Sequence, residues 1–308
     1  MVSHGVIVDP CRGRAAAEKR SHVSIVVTGA TGQLGRLTVE ALLRRGVPAS
    51  GIIATGRNLD ALKDLADRGV VVRRADFADP DSLAAALAGA EKLLLISASF
   101  PVDERVAHHR RAIDAALAAG VSSVVYTSMT HADTATTILA ATHRATEEYL
   151  RERDVPHVLL RNSWYLENYT ELLPMVRQHG EVIGAAGQGK VSAAARADYA
   201  EAAAAVLTTD GHIGAVYELG GDNAFTLSEF AATVAAATGT PIAYIDLSAD
   251  ELAAALIGAG LPAELANVLA DADLGLGRGE LFTESGDLHR LLGRSTTSLP
   301  TAVADALR

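Results

Sequence analysis

Glycines at positions 29, 32 and 35 follow the apolar run Ser24-Ile25-Val26-Val27-Thr28 and precede an amphipathic segment opening with Leu37, Val39 and Leu42-Leu43. The order is strand, tight turn, helix start, and few folds accommodate it. Gly29 allows the turn, Gly32 lets backbone approach a ligand, and Gly35 lets the helix pack on the strand. The first N–H groups of a helix have no partners inside it, so they and the helix dipole favour a phosphate. Gly29, Thr31, Gly32, Gln33 and Leu34 are therefore candidate contacts to a dinucleotide pyrophosphate. A structural turn of the same spacing is the alternative, but the strand before it and the helix after it favour the binding site.

Downstream, the helix Leu37–Arg45 stops at Gly46-Val47-Pro48, and Ile52–Thr55 forms a short buried strand. At its exit, where an acidic side chain would hold ribose hydroxyls, the chain offers Arg57, which suits the 2′-phosphate of NADPH. After strand Val70–Arg73, Asp76 is placed to accept from an adenine amino group, because Asp79 or Asp81 can cap the next helix instead. Lys92–Ser97 is a continuous apolar strand of the parallel-sheet kind. Its exit brings Ser97 and Ser99 alongside the cofactor as ribose or phosphate contacts.

Helix Val106–Ala119 carries His108-His109-Arg110-Arg111. Adjacent histidines on a helix point about 100° apart, so they do not share one metal. A solvated or subunit-facing helix is expected, and no metal site. Strand Ser123–Ser128 completes a βαβαβαβαβ rhythm, which implies right-handed crossovers and a doubly wound, Rossmann-type α/β fold. Ligands in such sheets bind outside the carboxyl ends of the strands. Thr130 and His131, at the fifth exit, are thus candidates for the acceptor pocket. After strand His157–Arg161, the exit Asn162-Ser163-Trp164-Tyr165 carries the chain's single Trp. Trp164 and Tyr165 fit either a flat ligand or a core position.

Gly180 to Lys190 holds four glycines and is expected as a mobile loop from which Lys190 reaches into the site. Thr226 and Glu229 are spaced as a capping box. The remaining elements suggest a smaller, mostly helical substrate domain. The expected division is residues 1–22 as a disordered extension, 23–165 as the cofactor domain (with parts of 190–220), and 166–308 on the substrate side. The formal net charge of −10 argues against a nucleic-acid or anionic-membrane surface. No apolar run reaches the ~20 residues of a membrane span. Cys11 is the single cysteine, so no internal disulfide forms and a cytoplasmic setting is expected.

These segments resemble short-chain dehydrogenases/reductases of the extended and atypical type. Most of that family pair a Ser after strand five with Tyr-x-x-x-Lys on the next helix. Aligned on the spacing to Glu147, this chain has Leu139 in place of Tyr and His143 in place of Lys. The departure resembles the NmrA-like atypical branch, above all its flavin-free NADPH:quinone oxidoreductases, with triphenylmethane reductases nearby. The stretches Thr28–Gly35, Glu91–Ser97, Thr130–Thr134, Leu160–Tyr169 and Ile183–Lys190 carry the resemblance. The turn Arg44-Arg45-Gly46, one residue longer than the family's, and Ala98 depart from it. The resemblance implies NADPH as cofactor, no flavin, a quinone-like small-molecule acceptor, and Ser97, Ser99, Asn162 and Trp164 around the ribose and nicotinamide.

Chemistry points the same way. Hydride addition to a ketone makes a strongly basic alkoxide that needs an acid such as Tyr. Addition to a quinone makes a phenolate-like anion, whose conjugate acid has a pKa of about 10, and water can protonate it. A cationic dye needs no proton. What the protein must supply is proximity in a dry pocket, and His143 is a candidate hydrogen-bond donor there. Two other readings stay open, an NADP-binding redox sensor without turnover and a reductase of cationic dyes. A sugar-nucleotide epimerase is disfavoured, since it requires the Tyr–Lys couple. A homodimer is compatible with the sequence but not specified by it.

Overall fold

The computed structural model describes residues 23–98 and 101–308. The expected N-terminal extension, with Cys11, and the candidate Ser99 lie outside the described residues.

The first half alternates strand and helix: β1 (Ile25–Val27), α1 (Gln33–Arg44), β2 (Ile52–Gly56), α2 (Lys63–Asp67), β3 (Val71–Arg74), α3 (Pro80–Leu87), β4 (Lys92–Leu95), α4 (Val102–Ala118), β5 (Ser123–Met129), α5 (Ile138–Glu152) and β6 (His157–Asn162). Two short helices follow, α6 (Glu167–Thr170) and α7 (Leu173–His179), then β7 (Glu181–Gly184), α8 (Arg196–Thr208) and β8 (Val216–Leu219). The chain ends with α9 (Leu227–Thr238), β9 (Ala243–Asp246), α10 (Ala249–Gly258), α11 (Ala263–Gly277), α12 (Asp287–Leu292) and α13 (Leu299–Ala306).

Seven parallel strands form the main sheet in the order β3-β2-β1-β4-β5-β6-β8. The order reverses between β1 and β4, which is the switch point where such sheets open a crevice. Side chains alternate across each strand. Ile25, Val27, Leu94 and Val125 pack with Val39 and Leu42 of α1 and Tyr199 and Ala203 of α8. Val26, Leu93, Leu95 and Val124 face the other way, onto Leu87, Ile113 and Leu150 of α3, α4 and α5. The fold is the doubly wound, Rossmann-type α/β arrangement, with a mostly helical C-terminal part.

Local chemistry sets several boundaries. Asp79 caps α3, accepting from the Ser82 N–H at 3.1 Å, with Pro80 in the first turn. Thr226 and Glu229 form a reciprocal capping box on α9, and Ser248 and Glu251 form another on α10. α4 begins at Val102, four residues before the expected start, because Pro101 can lead into a helix and Asp103 and Glu104 suit its first turn.

Two segments differ from expectation. Residues 180–190 are not a free loop, because Glu181–Gly184 pairs in parallel with Ala243–Asp246 as a second, two-stranded sheet. Beyond β7, the Ala185 N–H donates to Asp273 Oδ2 and the Gly187 N–H to Asp246 Oδ1, both at 2.9 Å. A Cβ at Gly189 would stand 2.3 Å from the Leu276 carbonyl oxygen, so that glycine permits backbone contact. Helix α4 is not solvated at His109, which is fully buried against α5. No helix among the described residues is long and apolar enough to cross a membrane.

Candidate active site

The exits of β1, β2, β4, β5 and β6 share the carboxyl edge of the sheet. At the first exit Gly29 takes a left-handed φ of +61° and accepts from the Gly32 N–H at 2.9 Å. The Ala30 N–H donates to the Thr55 carbonyl at 2.8 Å, which ties the turn to β2. A Cβ on Gly35 would lie 2.4 Å from the Gly29 oxygen, so α1 seats directly on the turn. Gly32 is the N-cap of α1 and carries no side-chain acceptor, which leaves the first N–H groups without an internal partner. Gly29, Thr31, Gly32 and Gln33 are exposed there, while the Leu34 side chain is buried and only its backbone faces outward chemistry. These features fit a dinucleotide pyrophosphate.

Arg57 is exposed immediately after β2 and makes no ion pair among the described residues. Asp76 accepts from its neighbour, the Ala78 N–H, through Oδ1 at 3.0 Å, and Oδ2 stands 3.7 Å from Arg74. Its carboxylate thus shapes the β3 exit and is only half-buried. The Ser97 N–H donates to Thr127 Oγ1 at 2.9 Å, which aligns the β4 and β5 exits.

At the end of β6 the Asn162 carbonyl accepts from the Thr130 N–H at 3.1 Å. Asn162 Oδ1 is buried with no donor, an orphaned acceptor that a ligand amide would satisfy. Tyr165 is half-buried. Its ring meets Tyr199 edge-on at 5.5 Å, and the Arg196 guanidinium lies 5.1 Å from its centre. Burial pushes the Tyr165 phenol up, opposed by the Asn162 amide and by the charges of Arg196 and Arg105. Arg196 also bonds Gln33, Glu171 at 2.7 Å and Asn168 at 3.0 Å, bridging the start of α1 to α6. Trp164 is half-buried against the C-terminal core, and its carbonyl accepts from the Ala194 N–H at 3.1 Å.

Among the remaining candidates, Thr130 and His143 lie inside the protein, and His131 and Lys190 lie nearer its surface. Thr130 is fully buried and donates to the Glu280 carbonyl at 3.3 Å, so its hydroxyl is not open to an acceptor. His131, at φ 54°, donates from Nε2 to the Phe282 carbonyl at 2.7 Å and lines a cleft of about 260 Å³ with Thr134, Ala135 and Arg278. Both residues tie segment 280–282 to the sheet. Lys190 is exposed and bonds no side chain among the described residues. His143 is buried on α5 between Arg105 Nη2 at 2.9 Å and the Tyr126 hydroxyl at 2.8 Å. Burial and the Arg105 charge hold its imidazole well below the usual histidine range, hence neutral. Sequence reasoning missed Arg105, Arg161 and Arg196, since an arginine's partner is set by tertiary contact rather than local pattern. Among the described residues no group of three or more His, Cys, Asp or Glu is placed to hold a metal.

The NmrA-like family pattern matches residues 21–299. The chain is 48% identical over 280 residues to quinone oxidoreductase 2 of Escherichia coli (strain K12), covering 91% of this chain and 97% of that protein. The crystal structure of the E. coli NADPH-dependent quinone oxidoreductase complexed with NADPH matches with a TM-score of 0.89, over 92% of this chain and 100% of that one. Triphenylmethane reductase of Citrobacter sp., complexed with NADP(H), matches with a TM-score of 0.87 at 37% identity, over 92% and 100% of the two chains.

Proposed function

The chain belongs to the NmrA-like family, and we propose that it transfers a hydride from NADPH to a quinone-like small molecule, using neither flavin nor metal. The observation that carries this reading is the state of position 143. The side chain there is a buried, neutral imidazole whose two nitrogens are engaged by Arg105 and Tyr126, and Leu139 stands at the place of the family's Tyr. The proton source that a ketone reductase needs is missing from α5, and a quinone does not need it.

Bound along the crevice, NADPH would supply the hydride. The chain's own residues would bind and orient. Thr31, Gln33 and Leu34 would present backbone N–H groups to the pyrophosphate, with Gly29 and Gly32 shaping the turn beside it. Arg57, exposed and unpaired among the described residues, would take the 2′-phosphate. Asp76 would face the adenine, and Ser97 with Ser99 the ribose. Asn162, whose Oδ1 lacks a donor, would accept from the nicotinamide amide. Trp164 and Tyr165 would flank the acceptor ring and exclude water, with His131 and Lys190 at the margin. The buried positive charge of Arg105 favours a neutral quinone over a cationic dye.

The test is NADPH oxidation by the purified chain with 1,4-benzoquinone. Steady, enzyme-dependent hydroquinone formation is expected. Tight NADPH binding without turnover across quinones, dyes and ketones would favour a redox sensor instead.

A further inference from the structure

Two arginines lie almost wholly inside the protein, Arg161 at 4% exposure and Arg105 at 6%. Arg161 is surrounded by carboxylates, with Glu147 at 2.7 Å, Glu218 at 2.9 Å and Asp133 at 3.1 Å. Arg105 has none within 4 Å among the described residues. Among the described residues its Nε is buried with no acceptor, and its one bond is from Nη2 to His143 Nε2 at 2.9 Å.

The surroundings do not neutralise it. A guanidinium only donates, so His143 Nε2 accepts and its Nδ1–H donates to the Tyr126 oxygen. The Ala98 N–H likewise donates to His109 Nε2 at 2.9 Å, leaving Nδ1–H to donate to Thr146 Oγ1 at 2.9 Å. The hydrogen-bonded side chains around Arg105 are therefore two neutral imidazoles, His143 and His109, with the Tyr126 phenol between them and Thr146 beyond, and among the described residues this cluster holds one charge. Arg105 also sits in the first turn of α4, where the helix dipole disfavours a cation. An unpaired buried charge is costly, and an apolar side chain of similar size would pack there more cheaply. Neither fold nor helix explains this one.

Its position does. Arg105 lies near the start of α4, the helix that follows the β4 exit at the carboxyl edge of the sheet, and it is docked on His143, the residue at the place of the family's Lys. We infer that Arg105 is the fixed cation that stabilises the oxyanion left on the acceptor after hydride transfer. This rests on the quinone reading above. The quinone gains one hydride, hence two electrons, and becomes a hydroquinone monoanion, while the nicotinamide is oxidised. Water then protonates the oxyanion. A preorganised charge in the low-dielectric interior acts most strongly where charge develops, and it needs no proton of its own. The Tyr–Lys couple is replaced by a single arginine carried on a different helix.

The test uses 4-nitrophenol, a chromophoric analogue of the hydroquinone whose ionisation is read by absorbance. The full chain saturated with NADP⁺ is titrated with it across pH. Arg105 is expected to lower the pKa of the bound phenol by about one unit relative to free solution. Arg105→Met should abolish the lowering and reduce kcat with benzoquinone at least tenfold, and Arg105→Lys should restore much of both. Thermal melting checks that each variant is folded. The inference is overturned if the phenol does not bind, if its pKa is unmoved in the wild type, or if Arg105→Met lowers it equally. Benzoquinone turnover separates the two claims. Turnover with an unmoved phenol pKa keeps the reductase and removes the role of Arg105; a lowered pKa without turnover removes the reductase and with it the inferred role.

Discussion

Arg161 grips Glu147 through two parallel bonds, Nε to Oε1 at 2.9 Å and Nη2 to Oε2 at 2.7 Å. The pair joins β6 to α5 beneath the fifth and sixth strand exits. Glu147 Oε1 also accepts from Ser128 Oγ at 2.6 Å. Ser128, at the fifth exit, is thereby committed to structure. Glu147 is only 1% exposed. The pair holds still the floor on which Asn162 and Thr130 are set.

Without the Glu147 carboxylate, Arg161 keeps Glu218 and Asp133 but loses its two parallel bonds. Glu147→Gln is expected to destabilise the fold by about 1.5–3 kcal/mol, the range for hydrogen bonds to charged groups, read from urea unfolding. Arg161→Lys should not rescue geometry of this kind, since an ammonium cannot make the two parallel bonds. A loss below about 1 kcal/mol, the range of a surface pair, would contradict the clamp.

Arg57 offers a test of cofactor choice. Arg57→Ala should raise KM for NADPH tenfold or more and leave KM for NADH nearly unchanged, because only the former carries a 2′-phosphate. Steady-state kinetics with both cofactors decides it, and equal losses would refute the assignment.

The C-terminal part carries its own pH signature. Burial, helped by the Asp246 charge, pushes the Asp273 carboxyl up to about 6. The folded state then holds a proton that the unfolded state has released, so stability falls as pH rises from about 4 through 6. The change is at most about 3 kcal/mol for two units. Asp273→Asn keeps an acceptor for the Ala185 N–H and removes the titration, so it should be the more stable protein at pH 7.5 and the flatter one across that window. His109 works the other way: burial holds it down at about 3, and its contribution is lost as pH falls below about 6.5. The difference between wild type and Asp273→Asn, measured by denaturant unfolding at several pH values, isolates the carboxyl. A variant that is less stable at pH 7.5 would contradict the assignment.

The centre of the sheet was legible because its strands are buried on both faces and therefore read as continuous apolar runs, as in Leu93-Leu94-Leu95. The glycine turn was legible because its geometry needs Gly29 and Gly35 at fixed offsets. The capping box of α9 is local chemistry and was equally plain. What failed depended on distant partners. Gly184 and Gly189 look like loop glycines, yet a Cβ at Gly184 would meet Leu227 at 2.5 Å and one at Gly189 the Leu276 carbonyl at 2.3 Å. His109 looks solvated beside two arginines, yet its partners Ala98 and Thr146 lie on other segments. Thr130 and His131 sit at the right strand exit, but segment 280–282, about 150 residues away, takes up their bonds. Arg105 and Arg161 cannot be told apart by sequence, although one is clamped by carboxylates and the other has none among the described residues.

NADPH is expected to pass its hydride directly to a quinone in a site without a Tyr–Lys couple. The most direct measurement compares benzoquinone reduction by NADPH and by NADPH deuterated at the transferred position, using a preparation checked free of flavin. The expected result is stoichiometric hydroquinone formation that slows on deuteration. NADPH binding with no hydroquinone formed, or turnover only after flavin is added, would contradict it.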